Sequence, residues 1–136
     1  MDLRAHYSNY ISHINARSYQ TFSDFVSDGI VHNDSQPMSV QLYAQIIIDG
    51  QASFRDQKFE IQMLVLENDD SEGNGSLAAR LRLTYIPDSE QGKSVEEAKV
   101  AEFYEHVFYR FENGKIVRVW SLLDGAGQKW KEERKA

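Results

Sequence analysis

Apolar residues recur at helical spacing at the start of the chain. Leu3, Tyr7, Tyr10, Ile11 and Ile14 fall on one stripe at steps of three and four, and Asp2 stands where an N-cap belongs. This spacing predicts an amphipathic helix of about four turns. A shorter run of the same period, Tyr19, Phe22, Phe25 and Val26, stops at the turn-forming pair Asp28-Gly29. Ile30, Val31 and His32 then read as a brief strand that breaks off in Asn33-Asp34-Ser35 and Pro37. Ser39 is placed to cap a second long helix, whose stripe of Leu42, Tyr43, Ile46 and Ile47 ends at Asp49-Gly50.

Beyond that point the period becomes two. Phe59, Ile61, Met63 and Val65 alternate with Glu60 and Gln62, as in a half-buried strand, and residues 77–86 alternate again with arginines on one side. The polar, Gly-containing segment 67–76 joins them as a hairpin loop, and 87–98 is a second polar loop. From 100 to 123 two strands flank Asn113-Gly114, the strongest short hairpin signal. The tail, 128–136, is charged around Trp130 and reads as a short helix or a frayed end. Helices first and an antiparallel sheet afterwards predict an α+β domain.

Composition narrows the chemistry. A chain of 136 residues with 41% hydrophobic and 12% aromatic content suits one domain with a real core. The absence of cysteine excludes disulfides, thiolate nucleophiles, zinc ribbons and iron–sulfur clusters. A net charge of −6 argues against nucleic acid as a partner. Neither a secretory leader nor a membrane span is expected, because Asp2, Arg4 and His6 interrupt the N-terminus and the longest aliphatic run is Ile46-Ile47-Ile48. The expected protein is cytoplasmic and uses no cofactor or metal. Asn68-x-Asp70-x-Glu72-Gly73 starts like a calcium loop, but its twelfth position is Ala79 in place of the bidentate carboxylate. Gly73-x-Gly75-x-x-Ala78 precedes a strand pattern where a dinucleotide fingerprint needs a helix.

The candidate chemistry lies in the last hairpin. A two-residue turn at Asn113-Gly114 pairs Glu112 with Lys115 and puts Phe103, Glu105, Val107, Tyr109, Phe111, Ile116, Arg118, Trp120, Leu122 and Asp124 on one face. Tyr104, His106, Phe108, Arg110, Val117, Val119, Ser121 and Leu123 share the other. Glu105 and Asp124 thus sit among Phe103, Tyr109 and Trp120, where lost hydration raises a carboxyl pKa toward the range useful for proton transfer. The residues equally allow Glu105 to pair with Arg80, Arg82 or Arg118, and Asp124 to cap the final helix at Gly125. On this register His106 falls on the second face, bonded to Ser121 or to backbone. His32, at a strand end before a loop, fits a site residue or a surface histidine.

Two segments carry a resemblance. Residues 25–33 (Phe-Val-Ser-Asp-Gly-Ile-Val-His-Asn) resemble the helix, short strand and His-Asn opening of SnoaL-like proteins of the NTF2-like superfamily, and residues 105–124 resemble their closing hairpin, with its Gly-Lys-Ile turn and Trp-x-x-x-Asp ending. The Arg80-Leu81 strand and Pro87 are similar too, and the likeness is nearest to small fungal SnoaL-like enzymes of secondary metabolism. It implies a cone of helices on a curved, mostly antiparallel sheet that encloses a pocket. The implied activity is a cofactor-independent cyclase or isomerase acting on a polycyclic small molecule, with dehydratases, hydrolases and non-catalytic binding modules on the same scaffold. By resemblance Asp124 is the acid/base residue, with Glu105, His106 and His32 as proton partners. Trp120, Tyr109, Phe103, Tyr43 and Arg80 are then the substrate-binding residues, and the protein is a homodimer.

Overall fold

The computed structural model describes residues 1–135, so the reading of the tail at Ala136 lies outside the described residues. Helix α1 is Leu3–Asn15, with Asp2 accepting the Ala5 N–H at 3.1 Å as N-cap, and it buries the predicted stripe of Leu3, Tyr7, Tyr10, Ile11 and Ile14. A 3-10 turn at Tyr19–Asp24 leads into β1 (Val26–His32). Helix α2 (Val40–Ala52) starts at the Ser39 cap. It runs through Asp49-Gly50, where a stop was expected, because Gln51 is buried in the last turn and Ser53 closes the helix. Strands β2 (Arg55–Asn68), β3 (Gly75–Ile86), β4 (Ala101–Glu112) and β5 (Lys115–Leu123) follow, and α3 (Gly125–Lys135) ends the chain.

The strands form one sheet in the order β1-β5-β4-β3-β2, antiparallel except for β1 against β5. The Asn113-Gly114 turn has φ of 50° and 78°, the left-handed pair that a tight hairpin of this twist requires. Besides a bulge at the start of β2 that sets Asp56 and Gln57 against Tyr85, two further bulges bend the long strands. Ile61 pairs with Leu81 but Met63 pairs with Arg80, so Gln62 is an extra residue in β2. Phe111 pairs with Ile116 but Arg110 pairs with Arg118, so Val117 is an extra residue in β5. An inserted residue sends every later side chain to the opposite face and coils the sheet.

The sheet therefore curls, and α1, α2 and α3 cover its concave face. Leu64 and Leu66 turn inward beyond the Gln62 bulge while Met63 and Val65 face out, which reverses the alternation expected for that half of β2. His6 and His13 fasten α1: His6 Nε2 lies 2.7 Å from the Gly114 carbonyl oxygen and His13 Nδ1 lies 2.8 Å from Thr21 Oγ1. Helix α3 lies close against β4 at Gly127, where a Cβ would sit 2.4 Å from the Phe103 ring. No helix among the described residues is long and apolar enough to cross a membrane.

Candidate active site

Between the concave face and the three helices lies a cavity of about 350 Å³, a volume suited to a small molecule. Its wall is mostly apolar, with Ile14 of α1, Ile47 of α2, Phe59 of β2, Leu81 and Leu83 of β3, and Phe103 and Val107 of β4; Trp130 of α3 and Phe54 close one side, their rings 6.1 Å apart. Set into this wall are Glu105, His32, Tyr10, Tyr43, Tyr109, Ser121, Gln51, Gln57 and Lys131.

Glu105 pairs with Leu81 on one side and Leu123 on the other, and it is the one acid in the cavity wall among the described residues. No hydrogen bond or ion pair to a described residue satisfies its carboxyl. Desolvation therefore dominates and pushes its pKa up to about 7, against a smaller pull downward from the Lys131 ammonium. At that value the group is part proton donor and part proton acceptor at neutral pH. Four phenols surround it. The Tyr7 and Tyr109 hydroxyls are hydrogen-bonded at 3.0 Å behind the wall. Burial, reinforced by the charge of Glu105, pushes Tyr7, Tyr10, Tyr43 and Tyr109 all well up, so each stays a neutral hydrogen-bond donor.

His32 enters from the end of β1 because Asn33 fastens that end to β5. Asn33 donates its backbone N–H to the Val119 carbonyl at 2.8 Å, and its side chain accepts the Ser121 N–H at 2.8 Å. Asn33 holds φ 52°, a left-handed conformation that Asn tolerates. Asn33 thus clamps the strand end just after His32: His32 Nε2 comes within 3.1 Å of Ser121 Oγ, and its ring lies 5.9 Å from that of Tyr43. Burial, and secondarily Lys131, lowers the His32 pKa, which keeps the imidazole neutral.

Of the residues singled out from sequence, Glu105, His32, Tyr43, Tyr109 and Phe103 meet in the cavity wall. Asp124, His106, Trp120 and Arg80 do not: the Val117 bulge shifts the register of β5 by one and turns Trp120 outward with Asp124 beyond it, whereas His106 alternates with Glu105 on β4 and Arg80 with Leu81 on β3, so both face out. The hairpin pairs as expected only at Glu112 with Lys115 and Phe111 with Ile116; beyond the bulge Val119, Ser121 and Leu123 join the face of Glu105, while Trp120 and Leu122 go outside. Trp120 is 44% exposed and stacks under Arg118. Asp124 is exposed, with Oδ1 accepting the Tyr104 N–H at 2.6 Å, and its carbonyl accepts the Gln128 N–H in the first turn of α3. On the outer face Arg80 donates to His106 at 3.2 Å and its guanidinium lies 3.7 Å from the Tyr104 ring centroid. Tyr10, Ser121, Gln51, Gln57, Lys131 and Trp130 are the wall residues that the sequence reading missed. Tyr10 carried a signal through its place on the apolar stripe of α1, and Gln57 as a polar residue two before Phe59 on the apolar side of β2.

The family model of SnoaL-like polyketide cyclases matches residues 4–129. Among solved structures, a SnoaL-like polyketide cyclase from Agrobacterium tumefaciens is 31% identical with a TM-score of 0.73, over 97% of this chain and 98% of that one. IdmH from Streptomyces antibioticus, assigned as a polyketide cyclase, shares the fold at 14% identity and a TM-score of 0.72, over 98% and 99% of the two chains. A Kribbella flavida protein assigned as a ketosteroid isomerase does so at 17% and 0.62, over 91% and 78%. No curated protein matches the chain. The matches to the family model and to the Agrobacterium structure span nearly the whole chain, so the protein belongs to the SnoaL-like polyketide cyclase family.

Proposed function

We propose that the protein is a cofactor-independent cyclase or isomerase of apolar, oxygenated secondary metabolites, with Glu105 as its acid/base residue. The observation that carries this reading is a carboxyl with no hydrogen bond or ion pair among the described residues, in an apolar cavity and ringed by phenols held in their neutral form. In the ionised form Glu105 removes a proton from a carbon beside a substrate carbonyl. The electron pair moves onto that oxygen, where Tyr43 or Tyr109 stabilises it by hydrogen bonding. In a ring closure the resulting enolate carbon attacks a second carbonyl of the same molecule, and the new alkoxide takes the proton back from Glu105, so the residue ends as it began. His32, neutral and close to Ser121, orients the substrate from the β1 side. Asp124, which the family resemblance nominates for the acid/base role, has the position of a clamp between β4 and α3.

The test is turnover by the Glu105→Gln variant, which keeps the shape of the side chain and removes its proton chemistry. Product formation from the oxygenated polycyclic precursor should fall by roughly 10²-fold or more. Unchanged product from the variant, with loss in Asp124→Asn, would return the role to Asp124.

A homodimer is also proposed, and a specific face supports it. Val65, Ala78, Phe108 and Trp120 are neighbours across the outer surface of β2 to β5, with Met63 and Leu122 in the adjoining row. Phe108 is 59% and Leu122 63% exposed. Arg80 and His106 lie between Met63 and Leu122, so the apolar surface is the row from Val65 to Trp120 flanked by those two side chains, and it offers a second copy of the chain a surface to cover.

A further inference from the structure

We infer that Gln57 anchors a hydroxyl or carbonyl group at the end of the substrate remote from Glu105. The inference rests on the cavity being the substrate site, as proposed above. Gln57 lies in a bulge: Arg55 pairs with Ile86 and Lys58 with Thr84, so Asp56 and Gln57 together oppose Tyr85. Asp56 takes φ 52° there. The surrounding backbone is pinned, since Arg17 donates to the Gln57 carbonyl oxygen at 2.6 Å and Asn15 both donates to and accepts from the Phe59 backbone at 2.8 Å. The bulge turns the Gln57 side chain inward, where it is 2% exposed and lines the cavity.

Neither Oε1 nor Nε2 of Gln57 has a hydrogen-bond partner among the described residues. The other glutamine of the wall behaves differently. Gln51 accepts from the Tyr19 hydroxyl and donates to the Ile14 carbonyl at 3.3 Å, so both its amide atoms are used within the protein. A buried amide with neither atom satisfied destabilises the fold, and a group that persists in that state in a cavity wall is matched to a ligand. One donor beside one acceptor suits a hydroxyl, which satisfies both atoms, or a carbonyl, which satisfies Nε2.

The spacing adds the second half of the inference. Gln57 is on β2 and Glu105 on β4, with β3 between them, and Gln57 lies beyond the Phe59–Leu83 row whereas Glu105 pairs with Leu81. Two strand spacings of ~4.8 Å, plus the offset along the strands, separate the two backbone positions by on the order of 10 Å or more. A ligand touching both side chains is therefore elongated, with a polar group at each end and an apolar middle against Leu83 and Phe103.

Three probes of one shape test this: naphthalene, 2-naphthol and 2,6-dihydroxynaphthalene, titrated calorimetrically into the wild type and into Gln57→Met, which keeps side-chain length and removes the amide. The wild type should bind the diol roughly fivefold to tenfold more tightly than 2-naphthol, the worth of one further hydrogen bond. In Gln57→Met the preference should shrink to about twofold or less, the statistical advantage of a symmetric ligand. Without ligand the variant should melt about 3 °C or more above the wild type, because an unsatisfied buried amide has gone. A wild-type preference absent from the start, or one kept in a Gln57→Met protein that melts lower, overturns the anchor and leaves the Glu105 reading standing. Failure of all three probes to bind the wild type overturns the cavity reading and the anchor with it.

Discussion

The backbone N–H of Tyr104 donates to the Asp124 carboxylate at 2.6 Å, and the next residue, Glu105, turns its side chain into the cavity on the opposite face of β4. Asp124 thus lies outside the cavity at a helix start, and Glu105 lies inside it. Asp124→Asn keeps an acceptor for Tyr104 and should hold turnover within a few-fold of wild type. Asp124→Ala loses the acceptor and should lower stability by about 1 kcal/mol, a shift of a few degrees in melting temperature.

Glu105 makes stability pH-dependent in a definite direction. Its pKa rises from 4.5 in the unfolded chain to about 7 in the folded protein, so between those values the native state holds the proton more tightly. Stability from this group is intact below about pH 4.5, declines as pH rises toward 7, and is lower by on the order of 3 kcal/mol above that. Denaturant unfolding of wild type and Glu105→Gln across pH 5 to 8 checks it: the difference between the two proteins should widen with pH in favour of the variant.

The phenols should act on both rate and folding. Tyr43→Phe removes a hydroxyl from the cavity wall together with its hydrogen bond to Tyr10, and should lower kcat roughly tenfold to a hundredfold and stability by about 1 kcal/mol. Tyr109→Phe also removes the 3.0 Å bond to Tyr7, so it should lose both activity and about 1 kcal/mol of stability. Turnover and melting measured on the same preparations separate the loss of rate from the loss of stability in each variant.

The outer face gives a prediction independent of chemistry. Phe108→Glu with Leu122→Glu places charges on two exposed apolar positions of the sheet. Sedimentation should show a dimer for the wild type and a monomer for the double variant, with turnover preserved. A wild type that sediments as a monomer at micromolar concentration removes the dimer.

Much of the fold was legible because its signals are local. The stripe from Leu3 to Ile14, the caps at Asp2 and Ser39, and the Asn113-Gly114 turn each need only neighbouring residues to act. The site was half legible. Glu105, Tyr109 and Phe103 precede the turn on β4 and alternate without interruption, so their shared face follows from period two. Trp120 and Asp124 lie beyond Val117, and Met63 and Val65 beyond Gln62, where one inserted residue reverses the alternation. Neither Val117 nor Gln62 looks unusual in its own sequence context, so no local signal marks the bulges that curve the sheet. The wall contributed by Trp130 and Lys131 depends on how α3 folds back over Phe103, a long-range packing that no local pattern encodes.

Titration of Glu105 itself is the sharpest test of its role as the proton-transfer group of the cavity. Carbon-detected NMR of protein labelled at the glutamate carboxyls, with Glu105 assigned by its disappearance in Glu105→Gln, follows its ionisation one residue at a time. The account predicts a midpoint near pH 7 for Glu105. A Glu105 midpoint in the ordinary range near 4.5 would contradict it.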